Sequence, residues 1–277
     1  MDAPPPSLPL PLTATTATPP PRPPGIGNAL GMIVLYFALQ IAIGMAAGLL
    51  VGFATRLVHG IHPDGRSGMA MDGTRAAMAN PGIRSVLVML VLLGAAAATL
   101  WLVHRFWPDL WARAQPPGFG FATPSAAYCI VAVAAGLAMP LVGGKLTELI
   151  AHGHAVPQDV KQIGGDAGLG FRIALTLVVV SIGPLVEELL FRGVLLSALL
   201  RRLGAGWAVL ASAALFALVH LPELHWLWYA LPNLALLGAA LAWLRLRSGS
   251  LWPAVIAHGC NNLLAMLVLF APLHHPG

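Results

Sequence analysis

The sequence predicts an all-α polytopic membrane protein with about seven transmembrane helices, and three observations carry that prediction. Of 277 residues, 58% are hydrophobic and only 9% charged, against about 25% charged in an ordinary soluble domain. The apolar residues are gathered into long runs, each near the roughly 20 residues a helix needs to cross a bilayer. The 15 Lys and Arg and the 10 Asp and Glu lie mostly between those runs, where loops meet lipid headgroups. These features exclude a water-soluble globule and a disordered chain. A net charge of +5 scattered in this way makes no nucleic-acid patch, so no nucleic-acid partner is expected. Cys129 and Cys260 both lie inside apolar runs, so neither a disulfide framework nor a thiolate metal site follows from them.

From the N-terminus, residues 1–27 are rich in Pro, Thr and Ala. Proline lacks the amide donor and clashes with the preceding turn, so this stretch reads as a disordered tail. It lacks the basic start and short apolar core of a cleaved signal peptide, so the next segment is expected to be retained. Seven apolar runs follow, at about 29–53, 85–104, 125–150, 171–200, 205–221, 227–244 and 251–271. Small residues in the first, Gly44, Ala47 and Gly48, permit close helix packing. A polar, glycine-rich linker from Thr55 to Arg84 precedes the second run, and another polar connection, His152 to Gly170, precedes the fourth. The later connections are short, so runs four to seven should form a compact antiparallel group. No repeat at a solenoid period is present, and 28–272 reads as one membrane domain. Trp101, Trp107, Trp111, Trp226, Trp228 and Trp252 cluster near run ends, as interfacial anchors do. Basic residues are nearly balanced between the two sides. Arg201, Arg202, Arg245 and Arg247 in the later loops tip the orientation toward a cytoplasmic N-terminus.

The informative residues are the ionisable ones at membrane depth, because each costs several kcal/mol unless it is paired or faces a cavity. Glu187 and Glu188 lie in the fourth run, Glu187 about 16 residues, or roughly 24 Å, past its start. Glu188 and Arg192 are four apart on one helical face, with the acid N-terminal to the base, the favourable order. Glu187 projects about 100° away, so its partner must come from another run. The fifth run offers Phe216 and His220 on one face, and the seventh offers His258 and Asn262 four apart. Pro184, one turn before Glu187, can kink the helix and free carbonyls toward a cavity. Glu, His, His and Asn can together hold and activate a water. The carboxylate takes a proton, imidazole orients the water or donates a bond, and the amide stabilises an oxyanion. Taken singly, such a Glu–Arg pair can be structural and a lone helical His can bond a backbone carbonyl.

In this order, however, EExxxR (Glu187, Glu188, Arg192), FxxxH (Phe216, His220) and HxxxN (His258, Asn262) resemble the CAAX-protease and bacteriocin-processing family. This group of intramembrane proteases is also called the abortive-infection family, and it includes the type II CAAX prenyl endopeptidase. VEELLFRGVLL and GSLWPAVIAHGCNN match the family's first and last motifs, and the resemblance covers residues 170–270, the expected protease core. It implies a conical catalytic cavity formed by the last four helices. It implies that Glu187 is the base activating the hydrolytic water, assisted by His220, and that His258 and Asn262 form the oxyanion hole. Arg192 with Glu188 would fix the first motif's helix, and Phe216 would be packing. The family has been described both as metalloproteases and as metal-independent glutamate proteases. Glu187, His220 and His258 could ligate zinc as a His₂Glu set. The chain has no HExxH, and a ligated Glu187 would leave the water without a base, so the metal-free reading is preferred and no cofactor is expected.

The expected activity is thus an intramembrane endopeptidase acting on a membrane protein or peptide, in a multi-pass protein of a bacterial cell membrane. The high Ala, Gly, Pro and Arg content suggests such a source, where a prenylated substrate is not expected. The alternative is a non-proteolytic membrane scaffold or immunity protein of the same fold, with a transporter third. GRSG at 65–68 matches the GxSG pattern of rhomboid serine proteases but lies in a polar loop with no intramembrane serine–histidine helix pair, and Gly164, Gly165 and Asp166 do not complete a GxGD aspartyl-protease motif. Pro222 should interrupt the fifth helix and leave Glu223 and His225 at the membrane edge.

Overall fold

The computed structural model describes residues 22–59, 75, 77–152 and 168–270, and among these every regular element is helical. Seven helices of 15 residues or more follow the seven apolar runs. They are α1 (Ile26–His59), α2 (Pro81–Phe106), α3 (Ala126–Ala151), α4 (Leu169–Leu200), α5 (Ala205–Val219), α6 (Leu231–Ser248) and α7 (Trp252–Phe270). Six are long and apolar enough to cross a membrane. The fifth run forms a helix of 15 residues, about 22 Å long, against a hydrocarbon thickness of about 30 Å. The chain is a multi-pass membrane protein whose outward surface is lipid-like: Leu49, Leu149, Leu169 and Trp207 are each more than 70% exposed.

Several boundaries differ from the hydropathy reading for local reasons. α1 runs six residues past the apolar edge at 53, to His59. α2 starts at Pro81, because Asn80 caps it by accepting from the amides of Gly82 and Ile83 and proline suits the first turn. The GRSG, Gly164–Asp166 and tail residues 1–21 lie outside the described residues. Arg245, expected in a loop, is instead buried in the last turn of α6 and donates to the Gly118 carbonyl at 2.7 Å. The reason is the connection between α2 and α3, which folds back over that end of the bundle. There Phe121 stacks on Trp111, Phe119 is fully buried, and Leu251 donates to Gly120.

The two central helices are α4 and α7. α4 packs against α1, α2, α5 and α7, while α7 packs against α3, α4 and α6, and α5 lies along α6. The compact group expected from runs four to seven therefore also contains α3. Glycine sets how closely α7 is held. A Cβ at Gly136 of α3 would collide with the Ala257 carbonyl, and one at Gly259 would come within 2.5 Å of the Val180 carbonyl oxygen on α4. That oxygen is available to α7 because residue 184 is proline and cannot donate to it. Within α4, Leu189–Leu195 is π-helical and every residue of it is buried, an irregularity that often accompanies functional sites. Phe119 packs over Gly193 in this segment.

Replacing Gly259 by Ala should destabilise the protein by about 1–3 kcal/mol through overpacking, read as a lower melting temperature of the full chain in detergent. Gly206→Ala, where no atom lies near the added methyl, should leave the melting temperature unchanged or slightly raised.

Candidate active site

The ion pair expected inside α4 is present and has more partners than its helix supplies. Arg192 donates to Glu188 Oε1 at 2.9 Å, and both side chains are fully buried. The second guanidinium nitrogen of Arg192 donates to the Gly238 carbonyl of α6 at 2.9 Å. A side chain at 238 would crowd that guanidinium, so glycine is what lets α6 present its backbone there. The Phe216 ring of α5 lies 4.4 Å from the same guanidinium, in cation–π geometry. Phe216 is thus a packing residue with an electrostatic role, and one cation ties three helices together.

Glu188 Oε1 also faces Nδ1 of His258 on α7 at 2.9 Å. A carboxylate accepts, so Nδ1 carries the hydrogen and Nε2 presents its lone pair. His220 arrives at the same state by another route. It is the C-terminal cap of α5, and its Nδ1 donates to the Phe216 carbonyl at 2.7 Å. This satisfies one of the carbonyls a helix end leaves unpaired. In the neutral ring its Nε2 is likewise an acceptor. Both Nε2 atoms face one oxygen, Glu187 Oε2, at 3.7 Å from His220 and 3.8 Å from His258. That oxygen is buried and receives no hydrogen bond from the protein.

Two imidazoles and a carboxylate on three helices therefore converge, with each imidazole spaced beyond a direct hydrogen bond from Glu187. Only a group that donates can join them: a water with its two hydrogens, or a cation. The donor set suits zinc, since both imidazoles have their far nitrogens fixed as metal-binding histidines do. The spacing suits it less. Ligands about 2.0–2.1 Å from zinc in a tetrahedron stand about 3.3 Å apart, closer than the observed separations. Among the described residues no group of three His, Cys, Asp or Glu reaches metal-holding geometry.

Asn262, one turn after His258, donates from its amide to the Val179 carbonyl of α4 at 3.1 Å. Its oxygen accepts from Asn261 at 3.2 Å, so Asn261 supports the neighbouring amide. One amide hydrogen of Asn262 is thus committed to holding α7 on α4. Beyond α5 the chain turns with Glu223 exposed and with His225 and Trp226 at φ 50° and 64°. The helix ends at Val219, three residues before Pro222. Glu223 follows His220 by three residues, on the turn that ends α5. The sequence did not disclose the Gly238 and Val179 carbonyls, because backbone acceptors carry no residue signature.

Residues 169–264 match the family model described as Type II CAAX prenyl endopeptidase Rce1-like. The match spans α4 to most of α7 and contains Glu187, Glu188, Arg192, His220, His258 and Asn262, in keeping with the motif resemblance. The chain is also similar to a protein of Bacillus subtilis (strain 168) named "Putative membrane peptidase YdiL", at 29% identity over 104 residues. That alignment covers 37% of this chain and 41% of the relative, so the shared segment is about two-fifths of the relative's length. No solved structure matches the chain.

Replacing Arg192 by Met should cost about 3–5 kcal/mol, because it strands a buried carboxylate. The double variant Glu188→Gln/Arg192→Met should be more stable than Arg192→Met alone. Detergent unfolding curves of the three proteins test this ordering.

Proposed function

We propose that the protein is an intramembrane endopeptidase that hydrolyses a peptide bond of a membrane-associated protein or peptide with water activated by Glu187. The observation that carries this reading is the convergence of two imidazole lone pairs on one buried carboxylate oxygen, at 3.7 and 3.8 Å. A water in hydrogen-bond contact with Glu187 and His220 gives a proton to Glu187 as its oxygen attacks the scissile carbonyl carbon. Glu187 then returns that proton to the departing amine as the C–N bond breaks. Low dielectric around the site strengthens each of these interactions.

The oxyanion is stabilised from α7. Asn262 offers its second amide hydrogen. His258, oriented by the Glu188 carboxylate on its Nδ1–H, donates from Nε2 as imidazolium. Glu188 and Arg192 position these groups and take no part in bond making. Zinc is the second reading, favoured by the fixed Nδ1 atoms of both histidines. Glu187, His220 and His258 would hold it, and it would supply Lewis-acid activation of water.

Glu187→Gln should abolish cleavage of an internally quenched peptide library by the purified full chain while leaving its melting temperature within a few degrees of wild type. Full activity in that variant would remove Glu187 as the base. Capture of a membrane peptide equally by wild type and Glu187→Gln, with no product formed, would point to the scaffold alternative. Prolonged chelation should leave the rate unchanged. Loss on chelation with recovery on adding zinc would select the metal reading.

A further inference from the structure

We infer that Asn261 of α7 is a positioning residue of this site, fixing the plane of the Asn262 carboxamide so that the amide hydrogen not taken by Val179 is aimed at the oxyanion. This inference rests on the peptidase reading above. It concerns a residue that belongs to none of the three motifs.

One hydrogen bond does not orient an amide side chain. The last torsion of asparagine is broad and roughly two-fold, so a carboxamide held only at its nitrogen can still swing about that contact. Asn262 is held at its nitrogen, by donation to the Val179 carbonyl of α4 at 3.1 Å. A carbonyl accepts and never donates, which settles which end of the amide meets α4 and leaves Oδ1 on the other side. There Asn261 Nδ2 donates to that oxygen at 3.2 Å. With nitrogen and oxygen both pinned, the amide plane is set, and with it the direction of the second N–H. The acceptor on α4 is itself held in place, because Gly259 of α7 packs directly against the neighbouring Val180 carbonyl.

Helix geometry does not supply the Asn261 contact by default. Adjacent residues project about 100° apart and ordinarily do not face each other, so the Asn261 side chain is turned back toward its neighbour. Asn261 is half-buried and lies within Trp252–Phe270, a helix long and apolar enough to cross a membrane. A polar side chain there needs a partner, and the partner it takes is the oxyanion donor. When water attacks, the carbonyl π pair moves onto oxygen, and that oxygen accepts the second amide hydrogen of Asn262. When the carbonyl re-forms, the C–N bond breaks and Glu187 supplies the proton to nitrogen. Asn261 exchanges no proton and acts only through Asn262.

The test uses the purified full chain in detergent, with two readouts. The first is a double-mutant cycle on kcat. Asn261→Ala, and Asn261→Leu as an apolar side chain of similar shape, should each lower kcat for an internally quenched peptide about tenfold, the weight of one neutral hydrogen bond. KM should stay near wild type. Asn262→Ala, slower by about 100-fold through loss of an oxyanion donor, should lose nothing further from either change. Equal losses in both backgrounds would show a merely structural role and overturn the inference. Wild-type kcat in Asn261→Ala would also overturn it, while an inactive Glu187→Gln leaves the peptidase reading standing. The second readout needs no substrate. With nitrogen-15-labelled asparagine, the side-chain amide pair of Asn262 is identified by its loss in Asn262→Ala. Its order parameter should fall in Asn261→Leu, while that of the Asn233 amide on α6 stays unchanged. Unchanged order at Asn262 would overturn the placement. If neither wild type nor any variant cleaves the peptide, the peptidase reading and the role of Asn261 in it fall together, and the amide order still decides whether Asn261 holds Asn262.

Discussion

A carboxylate placed among apolar helices must be given partners or the helices will not assemble, and Glu188 is the residue on which that requirement falls most heavily. Its cost of burial is several kcal/mol even after relaxation, and α4 alone offers only Arg192. Arg192, equally buried, needs more than one acceptor. The result is a chain of obligations running through the bundle. Arg192 reaches back to Glu188 and across to the Gly238 carbonyl on α6, its flat face rests on Phe216 of α5, and His258 of α7 donates to the same Glu188 oxygen that Arg192 meets. Each contact satisfies a charge, and each fixes one helix relative to α4. Glu187 inherits its surroundings from this arrangement. The two histidines are locked through their Nδ1 atoms, so their Nε2 atoms have little choice but to face it.

The same logic explains what could be read from the sequence and what could not. Pairs on one helix were visible, because spacing alone places Glu188 beside Arg192 and His258 beside Asn262. That Glu187 needed a partner from another run was also visible, from the 100° offset between adjacent residues. The shared use of Glu188 by Arg192 and His258 was not, since it depends on how far α7 slides along α4. That register is set by Gly259 against the Val180 carbonyl and by Gly136 against α3. Neither glycine has a pattern that distinguishes it from the many others in the chain. The membership of α3 in the core was hidden for a related reason: its contacts are made by small residues and backbone, with no ionisable group to mark them. The end that buries Arg245 was hidden because the connection before α3 covers it, and hydropathy treats such a connection as exposed.

Pro184 illustrates how a sequence signal can be right in kind and different in consequence. Proline one turn before Glu187 predicts a carbonyl released from its helix. That carbonyl, Val180, does not open into a cavity but meets Gly259 of α7, and its neighbour Val179 holds Asn262. The released backbone therefore serves as a docking strip for the helix that carries His258 and Asn262. The departure from α-helical geometry comes a turn later, in Leu189–Leu195. There the wider π turn is accommodated by close packing on every side, with Phe119 lying over Gly193.

The short α5 matters to the chemistry as much as the motifs do. At about 22 Å it is shorter than the hydrocarbon core of a bilayer, and its last carbonyls have no partner within the helix. His220 answers that deficit by capping Phe216 O, and in doing so turns its other nitrogen toward Glu187. A full-length helix would have paired Phe216 O with its own backbone and left the imidazole free to rotate. The turn that follows begins at His220 itself and leaves Glu223 exposed three residues on. Ending one helix early thus fixes the imidazole that faces Glu187.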